Sequence, residues 1–278
     1  MEKTFGREVA GVFLRVFAVI LTFIFILGIT DAWYQADTVS DGSCNIAVLP
    51  IEGAIMPFSG YADFSLVTTP SSVRDFIDRS EKDPFIEGLL LEINSPGGTP
   101  VASEQISQMI RNTNLTSIAL IGDIGASGGY LVSAGADKII ASAMSDVGSI
   151  GVTMSYIENS KKNEEEGVTF VELSSGKFKD SGNPEKPLTE EERNLFKGDL
   201  EIVHKEFVRQ VAELRGKSVE EIQTLADGSA MPGIKALEKG LIDMIGNRQT
   251  ARQEFAKTLG LNEDEIVFCE YSAGLLPF

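Results

Sequence analysis

The chain has 278 residues, of which 43% are hydrophobic and 23% are charged, a balance typical of folded proteins and too apolar for a disordered one. Its 24 Lys and Arg against 41 Asp and Glu give a formal net charge of −17, which disfavours nucleic acid as a partner because like charges repel. Two cysteines, Cys44 and Cys269, cannot form a disulfide framework or a four-ligand zinc site, and the single histidine, His204, disfavours histidine-based metal sites and a histidine base.

An apolar stretch near the N-terminus is the first predicted element. Residues 16–29 carry no charge, and the stretch from Val12 to Tyr34 is long enough to cross a bilayer, which takes about 20 residues. We therefore predict a transmembrane helix over 12–34, with the basic flank, residues 1–11, in the cytoplasm. A cleaved signal peptide is the alternative, although Thr30-Asp31-Ala32 is a poor cleavage site.

A polar segment, residues 35–45, is predicted to link this anchor to one globular domain over 46–278. Within the domain, strand-like and helical patterns alternate. Strands are predicted at 46–50, 86–93, 117–121, 138–142, 152–156 and 168–173, and helices at 71–80, 101–111, 127–136, 189–215, 233–238 and 249–258, with another helix beginning at Ser218. This alternation predicts an α/β fold with a mostly parallel sheet, in which active sites form at the carboxyl ends of strands.

Two glycine-rich turns, residues 94–98 (NSPGG) and 122–130 (GDIGASGGY), follow predicted strands and should meet at one edge of the sheet. Glycine lets backbone amides approach a ligand closely, so Ser127, at a helix start beside such amides, has the geometry of an acyl-transfer nucleophile. The oxyanion donors are then the amide of Gly128 and an amide of the Gly97–Gly98 turn. Two ordinary turns, with Ser127 as a helix N-cap, remain an alternative on spacing alone. Phosphate or dinucleotide binding is the weaker interpretation, because neither turn matches those patterns.

Six short segments occur in an order that resembles a known family. They are LLEINSPGG (90–98), GASGGY (125–130), GADKIIA (135–141), GSIGV (148–152), KFKD (177–180) and ALEKGLID (236–243). Residues 46–260 thereby resemble the catalytic domain of signal peptide peptidase A, a family of Ser/Lys membrane endopeptidases related to Clp protease and to the crotonases. An anchor followed by one such domain resembles the short form of that family. The resemblance implies a Clp/crotonase-like superhelix of repeated β-β-α units and no cofactor or metal.

The resemblance also implies the roles of the site residues. It makes Ser127 the nucleophile, with an oxyanion hole at Gly98 and Gly128 and a substrate groove at Gly97, Gly148, Ser149 and Gly151. A serine hydroxyl needs a neighbour that takes its proton, and a lysine can serve where desolvation lowers its pKa. The family's base corresponds to Lys179. Periodicity alone does not choose between Lys179 and Lys177, because alternate residues of an extended chain share one face.

By the same resemblance, the substrates are extended, largely apolar peptides such as signal peptides left after secretion. Several copies are expected to form a homo-oligomeric ring in which neighbouring protomers complete the sites. The expected protein is a single-pass membrane serine endopeptidase, with its N-terminus in the cytoplasm and its catalytic domain outside, and with no nucleic-acid partner. A crotonase-like acyl-CoA enzyme and an inactive membrane scaffold are the alternatives. Whether Cys44 and Cys269 pair or remain two free thiols stays open.

Overall fold

A computed structural model of the chain describes residues 17–23, 25, 38–59 and 66–269. Residues 17–23 and 25 are helical, and their large apolar side chains are more than half exposed. Most of the predicted membrane span, residues 12–34, lies outside the described residues. Among the helices that are described, none has both the length and the apolar character needed to cross a bilayer.

The described part of the chain forms one sheet in which every strand pairing is parallel except that of β6 with β7. The strands are β1 (Ile46–Ile55), β2 (Val67–Thr68), β3 (Gly88–Gly98), β4 (Thr116–Ala126), β5 (Lys138–Ala141), β6 (Asp146–Gly148), β7 (Ala230–Pro232), β8 (Met244–Ile245) and β9 (Phe268–Cys269). Their order is β2-β1-β3-β4-β5-β8, while β6 joins β4 to β7 and β9 joins β1. The predicted α/β fold with a mostly parallel sheet is confirmed.

Besides the helical residues 17–23 and 25, the described chain contains eight α-helices. They are α1 (Pro70–Lys82), α2 (Pro100–Asn112), α3 (Gly128–Ala134), α4 (Ser160–Glu165), α5 (Glu190–Arg215), α6 (Val219–Gln223), α7 (Gly233–Glu238) and α8 (Arg248–Leu259), with a 3-10 turn at Glu263–Glu265. At the start of α5, the Thr189 side chain accepts a bond from the amide of Glu192, whose carboxylate accepts one from the amide of Thr189. This capping box satisfies two backbone donors that the helix itself leaves without acceptors.

The three central strands continue beyond their predicted ends. Their pairing shifts register between Glu52 and Ala54 and between Ile93 and Ser95, and pairing then resumes. As a result β3 runs on to Gly98 and β4 to Ala126. Residues 94–98 and 122–126 of the two glycine-rich segments expected to be turns are therefore strand extensions, because β1 and β6 supply partners for their backbones, and a turn remains only at Ser127.

Apolar side chains cover both faces of the sheet, which explains why β1 and β3 are nearly continuous apolar runs. On one face Leu49 of β1 packs with Ile106 of α2 and Tyr130 of α3. On the other face Phe255 of α8 packs with Ile46 of β1. All seven residues of α3 are buried, so the core fixes the position of its N-terminus, which follows Ser127.

Two predicted strands, 152–156 and 168–173, are wrong, because both segments lack regular secondary structure. Composition rich in β-branched and aromatic residues favours a strand only where a neighbouring strand can pair with it. Instead, residues 152–189, here named the exposed arm, contain no buried residue. Val171 and Leu173 of this arm are 71% and 95% exposed.

The segment that precedes β1 is attached to the domain. The amides of Val39 and Ser40 each donate a 2.8 Å hydrogen bond to Oδ2 of Asp83. Cys44 forms a disulfide with Cys269 of β9, with a Cα–Cα distance of 5.1 Å and a sequence separation of 225. The structure thus settles the open question of the two cysteines in favour of pairing, and the end of the predicted linker lies on the domain.

Candidate active site

Ser127 lies between β4 and α3 and has φ 52° and ψ −122°, one of two described non-glycine residues with a positive φ. Such backbone conformations cost energy for a residue with a Cβ and recur at functional sites. Ser127 occupies the N-cap position of α3, as the alternative interpretation expected, but its side chain makes no capping hydrogen bond. Within the described chain its half-buried hydroxyl makes no hydrogen bond.

Gly97 lies directly against Ser127. Its φ is +98°, and an added Cβ would lie 2.6 Å from the nitrogen of Gly128 and 2.9 Å from the Cβ of Ser127. Both the conformation and the lack of space therefore require glycine at this position. Through Gly97, the end of β3 comes into contact with the turn that carries Ser127.

The amides of Gly98 and Gly128 are neighbours, since a Cβ added to Gly128 would lie 3.2 Å from the nitrogen of Gly98. Gly128 is the first residue of α3, and the first amides of a helix have no acceptor within it. Two adjacent amides beside a serine hydroxyl have the arrangement of an oxyanion hole. The structure thus brings together Ser127, Gly98 and Gly128.

Two buried serines support these glycines, and sequence reasoning missed both. Ser95 is fully buried, donates a 2.6 Å hydrogen bond to the carbonyl oxygen of Gly53 and accepts a 3.1 Å bond from the amide of Gly97. Ser103 of α2 packs against Gly128, where an added Cβ would lie 2.2 Å from its Oγ. The sequence carries no signal for these positions, because a buried serine resembles a surface serine in a single sequence.

The remaining predicted groove residues follow β6. Gly148 has φ +95° and accepts the amide hydrogen of Ser127 at 2.7 Å. Ser149 has φ 51°, and its hydroxyl donates a 2.9 Å bond to the carbonyl oxygen of Gly228. Gly151 lines the cavity beside Ser127, whereas Gly97, Gly148 and Ser149 are not part of its described lining. Gly97 and Gly148 instead contact the Ser127 turn itself.

A cavity of about 380 Å³ lies beside Ser127, Gly98 and Gly128. Its walls come from α2, α3, α5 and the start of the exposed arm. The apolar lining consists of Val101, Leu131, Val152, Ile202, Val203 and Phe207, and the polar lining includes Glu104, Glu206 and Gln210. The cavity is large enough for a peptide side chain. The contribution of α5 was missed because only tertiary packing brings Phe207 near Ser127.

The two candidate bases lie in the exposed arm. Lys179 is exposed, its amide donates a 3.0 Å bond to the carbonyl oxygen of Gly176, and it is not part of the described cavity lining. Its side chain makes neither an ion pair nor a hydrogen bond to Ser127 in the described chain. Lys177 forms an ion pair with Glu191 at 2.8 Å. The Lys177 amine therefore contacts the first turn of α5.

A charged cluster holds the turn of Lys179 against α5. Nζ of Lys186 lies 2.7 Å from Oε2 of Glu172, 3.3 Å from Oε1 of Glu192 and 3.7 Å from Oδ2 of Asp180. Lys186 is 21% exposed, so water screens these contacts less than it screens ion pairs at the surface. The cluster therefore gives the loop after Lys179 a defined position.

Comparison with known proteins places this site in a family context. The model of peptidase family S49 matches residues 110–262, more than half of the chain. A candidate protease from Methanocaldococcus jannaschii is 33% identical over 195 residues, which cover 69% of this chain and 63% of that protein. A candidate signal peptide peptidase SppA from Enterococcus faecium is 33% identical over 194 residues, covering 69% of this chain and 56% of that protein.

Protease 4 from Salmonella typhi is 31% identical over 240 residues, covering 83% of this chain and 37% of that protein. The chain thus spans less than two thirds of the length of each of these three relatives. The family expected from the six short segments is confirmed. On the family match and on these identities, the chain belongs to peptidase family S49.

Proposed function

We propose that the protein is a serine endopeptidase in which Ser127 is the nucleophile. One observation carries this proposal: Ser127, whose hydroxyl makes no capping bond to α3, lies beside the adjacent amides of Gly98 and Gly128. Each oxyanion donor of this kind contributes about 3 kcal/mol of transition-state stabilisation. The S49 family and the protease names of its relatives support the same activity. The long central strands and their parallel pairing support a Clp/crotonase-like superhelix as the scaffold.

The reaction proceeds in two steps. Oγ of Ser127 attacks the scissile carbonyl carbon while its proton passes to Nζ of Lys179, and the amides of Gly98 and Gly128 hold the oxyanion. Collapse of the intermediate breaks the carbon–nitrogen bond, and Lys179 returns the proton to the leaving amine. Lys179 then takes a proton from a water whose oxygen attacks the acyl carbon; the bond from that carbon to Oγ breaks, and Lys179 returns the proton to Oγ of Ser127. The apolar cavity beside Ser127 supports extended, largely apolar peptides, signal peptides among them, as substrates.

The most direct experiment compares wild type with Ser127→Ala on an unstructured apolar peptide. The variant is expected to lose about six orders of magnitude in cleavage rate and to lose labelling by a fluorophosphonate probe. Ser71→Ala, which removes an exposed serine at the start of α1, should keep both. Undiminished cleavage by Ser127→Ala refutes the proposal, and acyl-CoA turnover by that variant supports the crotonase-like alternative.

We also propose that neighbouring copies in a homo-oligomeric ring complete each site. This is supported by the position of Lys179, outside the Ser127 cavity on the exposed arm, and by the apolar side chains Val171 and Leu173. Exposed apolar surface of this kind marks an interaction site. Ser127→Ala and Lys179→Ala should each be inactive, whereas particles co-expressed from differently tagged variants should regain activity. Inactive mixed particles contradict a shared site.

The proposed location is the cell membrane, with residues 1–11 in the cytoplasm, an anchor over 12–34 and the catalytic domain outside. The uncharged run 16–29 supports the anchor. The disulfide between Cys44 and Cys269 supports an oxidising compartment for the domain. Protease added to intact cells should digest the domain, as judged with an antibody to it. A domain that is degraded only after lysis contradicts this orientation.

A further inference from the structure

The cavity beside Ser127 is apolar, yet its described lining contains two carboxylates and no lysine, arginine or histidine. The carboxylates belong to Glu104 of α2 and Glu206 of α5. Nε2 of Gln210 donates a 2.8 Å hydrogen bond to Oε1 of Glu104 and a 3.0 Å bond to Oε1 of Glu206. One amide therefore joins the two acids on the same wall of the cavity.

The charge of Glu206 is already compensated. Arg209 donates to both of its carboxylate oxygens, at 2.9 and 2.7 Å. These bonds are the main reason that the pKa of Glu206 falls to about 2. Because Arg209 forms its ion pairs with Glu206 and, at 2.9 Å, with Glu213, it does not neutralise Glu104, the other acid of the cavity.

Glu104 has no such partner. Within the described residues its carboxylate accepts hydrogen bonds only from neutral amides: Oε1 accepts from Gln210, and more weakly from Gln108 at 3.4 Å. Among residues 38–59 and 66–269, no cation lies within ion-pair distance of Glu104, and its Oε2 accepts no hydrogen bond. Glu104 is half-buried, so an approaching positive charge would meet a carboxylate that water screens only in part.

We propose that this cavity binds a lysine or arginine side chain of the peptide substrate, from the residue whose carbonyl Ser127 attacks. The proposal rests on the peptidase function above and adds a basic residue to an otherwise apolar substrate. The aliphatic stem packs against Leu131 and Phe207, and the charged end donates a hydrogen bond to Oε2 of Glu104. A wholly apolar side chain would displace water from that oxygen without giving it a hydrogen-bond donor in return.

The test compares two peptides that differ only in lysine or norleucine at that residue, since norleucine keeps the aliphatic stem and lacks the ammonium group. The full-length wild type should prefer the lysine peptide in kcat/KM, and this preference should weaken as salt rises. Glu104→Gln should lower the ratio of lysine to norleucine cleavage about tenfold, the effect of one charge-assisted hydrogen bond. Glu220→Gln removes the same charge from the exposed surface of α6 and should leave the ratio unchanged.

Charge reversal provides a second variant, because Glu104→Lys should favour a glutamate peptide over the lysine peptide. A wild type without lysine preference overturns the proposal, as does an unchanged ratio in both variants when their unfolding temperatures match wild type. If a variant does not fold, the preference of the wild type for the lysine peptide and its dependence on salt still test the proposal. If Ser127→Ala loses cleavage but Glu104→Gln keeps the wild-type ratio of lysine to norleucine cleavage, only this inference is refuted and the peptidase function stands. Full cleavage by Ser127→Ala instead refutes the peptidase function.

Discussion

The backbone amide of Ser127 donates a 2.7 Å hydrogen bond to the carbonyl oxygen of Gly148. The bond continues the parallel pairing of β4 with β6, in which Ala126 lies opposite Gly148. It holds Ser127 at φ 52°, a conformation that needs support from its surroundings. The position of the Ser127 hydroxyl therefore depends on β6 as well as on α3.

Gly97→Ala should inactivate the protein and destabilise its fold. The new Cβ would lie 2.6 Å from the nitrogen of Gly128, and alanine disfavours φ +98°. We expect a loss of about 2–4 kcal/mol in the free energy of unfolding, measured by denaturant titration. Gly198→Ala is the matched control, because nothing lies within 4 Å of its added Cβ and alanine favours the helix α5. Wild-type stability and activity in Gly97→Ala would contradict the described contact.

The disulfide should contribute substantially to stability. It ties residue 44, just before β1, to β9, across a sequence separation of 225. Replacing both Cys44 and Cys269 by alanine should lower the free energy of unfolding by about 2–5 kcal/mol, as removal of a native disulfide does in small secreted domains. Since the chain has only two cysteines, thiol titration of the denatured protein should find free thiols only after reduction. Two reactive thiols before reduction would show that the bond does not form.

Local sequence patterns were sufficient to predict most of the fold. The spacing of Thr189 and Glu192 placed the start of α5, because a capping box involves only residues three apart. The apolar runs of β3 and β4 marked the central strands, since both faces of the sheet are covered. The order of the six short segments correctly indicated the family and singled out Ser127, Gly98 and Gly128, which the structure brings together.

Features that depend on distant parts of the chain were not predicted. The strands β6 to β9 are only two or three residues long and form because strands distant in the sequence pair with them. The segment 168–173 has the composition of a strand but no partner in the described chain, so its backbone stays irregular. Glu104 and Gln210 meet only through packing of α2 against α5, which no local pattern records.

Glu192 should stabilise the protein in a pH-dependent manner. Its side chain is 4% exposed, and hydrogen bonds from the amide and hydroxyl of Thr189 lower its pKa from 4.5 to about 2. A carboxyl with a lowered folded-state pKa stabilises the fold above its unfolded pKa, and this contribution is lost as pH falls from about 4.5 to about 2. Wild type should therefore be more stable than Glu192→Gln at pH 7, and the two should converge near pH 2. Thermal unfolding across this pH range measures the difference, and a constant difference would contradict the prediction.

The two lysines of the arm turn should differ sharply in their effect on activity. Lys177 is held in an ion pair with Glu191, whereas Lys179 has no anionic partner in the described chain. Lys179→Ala should reduce the cleavage rate by about two to four orders of magnitude, the usual contribution of a general base. Lys177→Ala should reduce it less than threefold. Lys179→Arg should be as inactive as Lys179→Ala, because a guanidinium keeps its proton and cannot accept another.

Peptide cleavage by particles of equal size, checked by light scattering, separates loss of the base from loss of assembly. An active Lys179→Arg variant, or a Lys177→Ala variant as impaired as Lys179→Ala, would assign the base to another group.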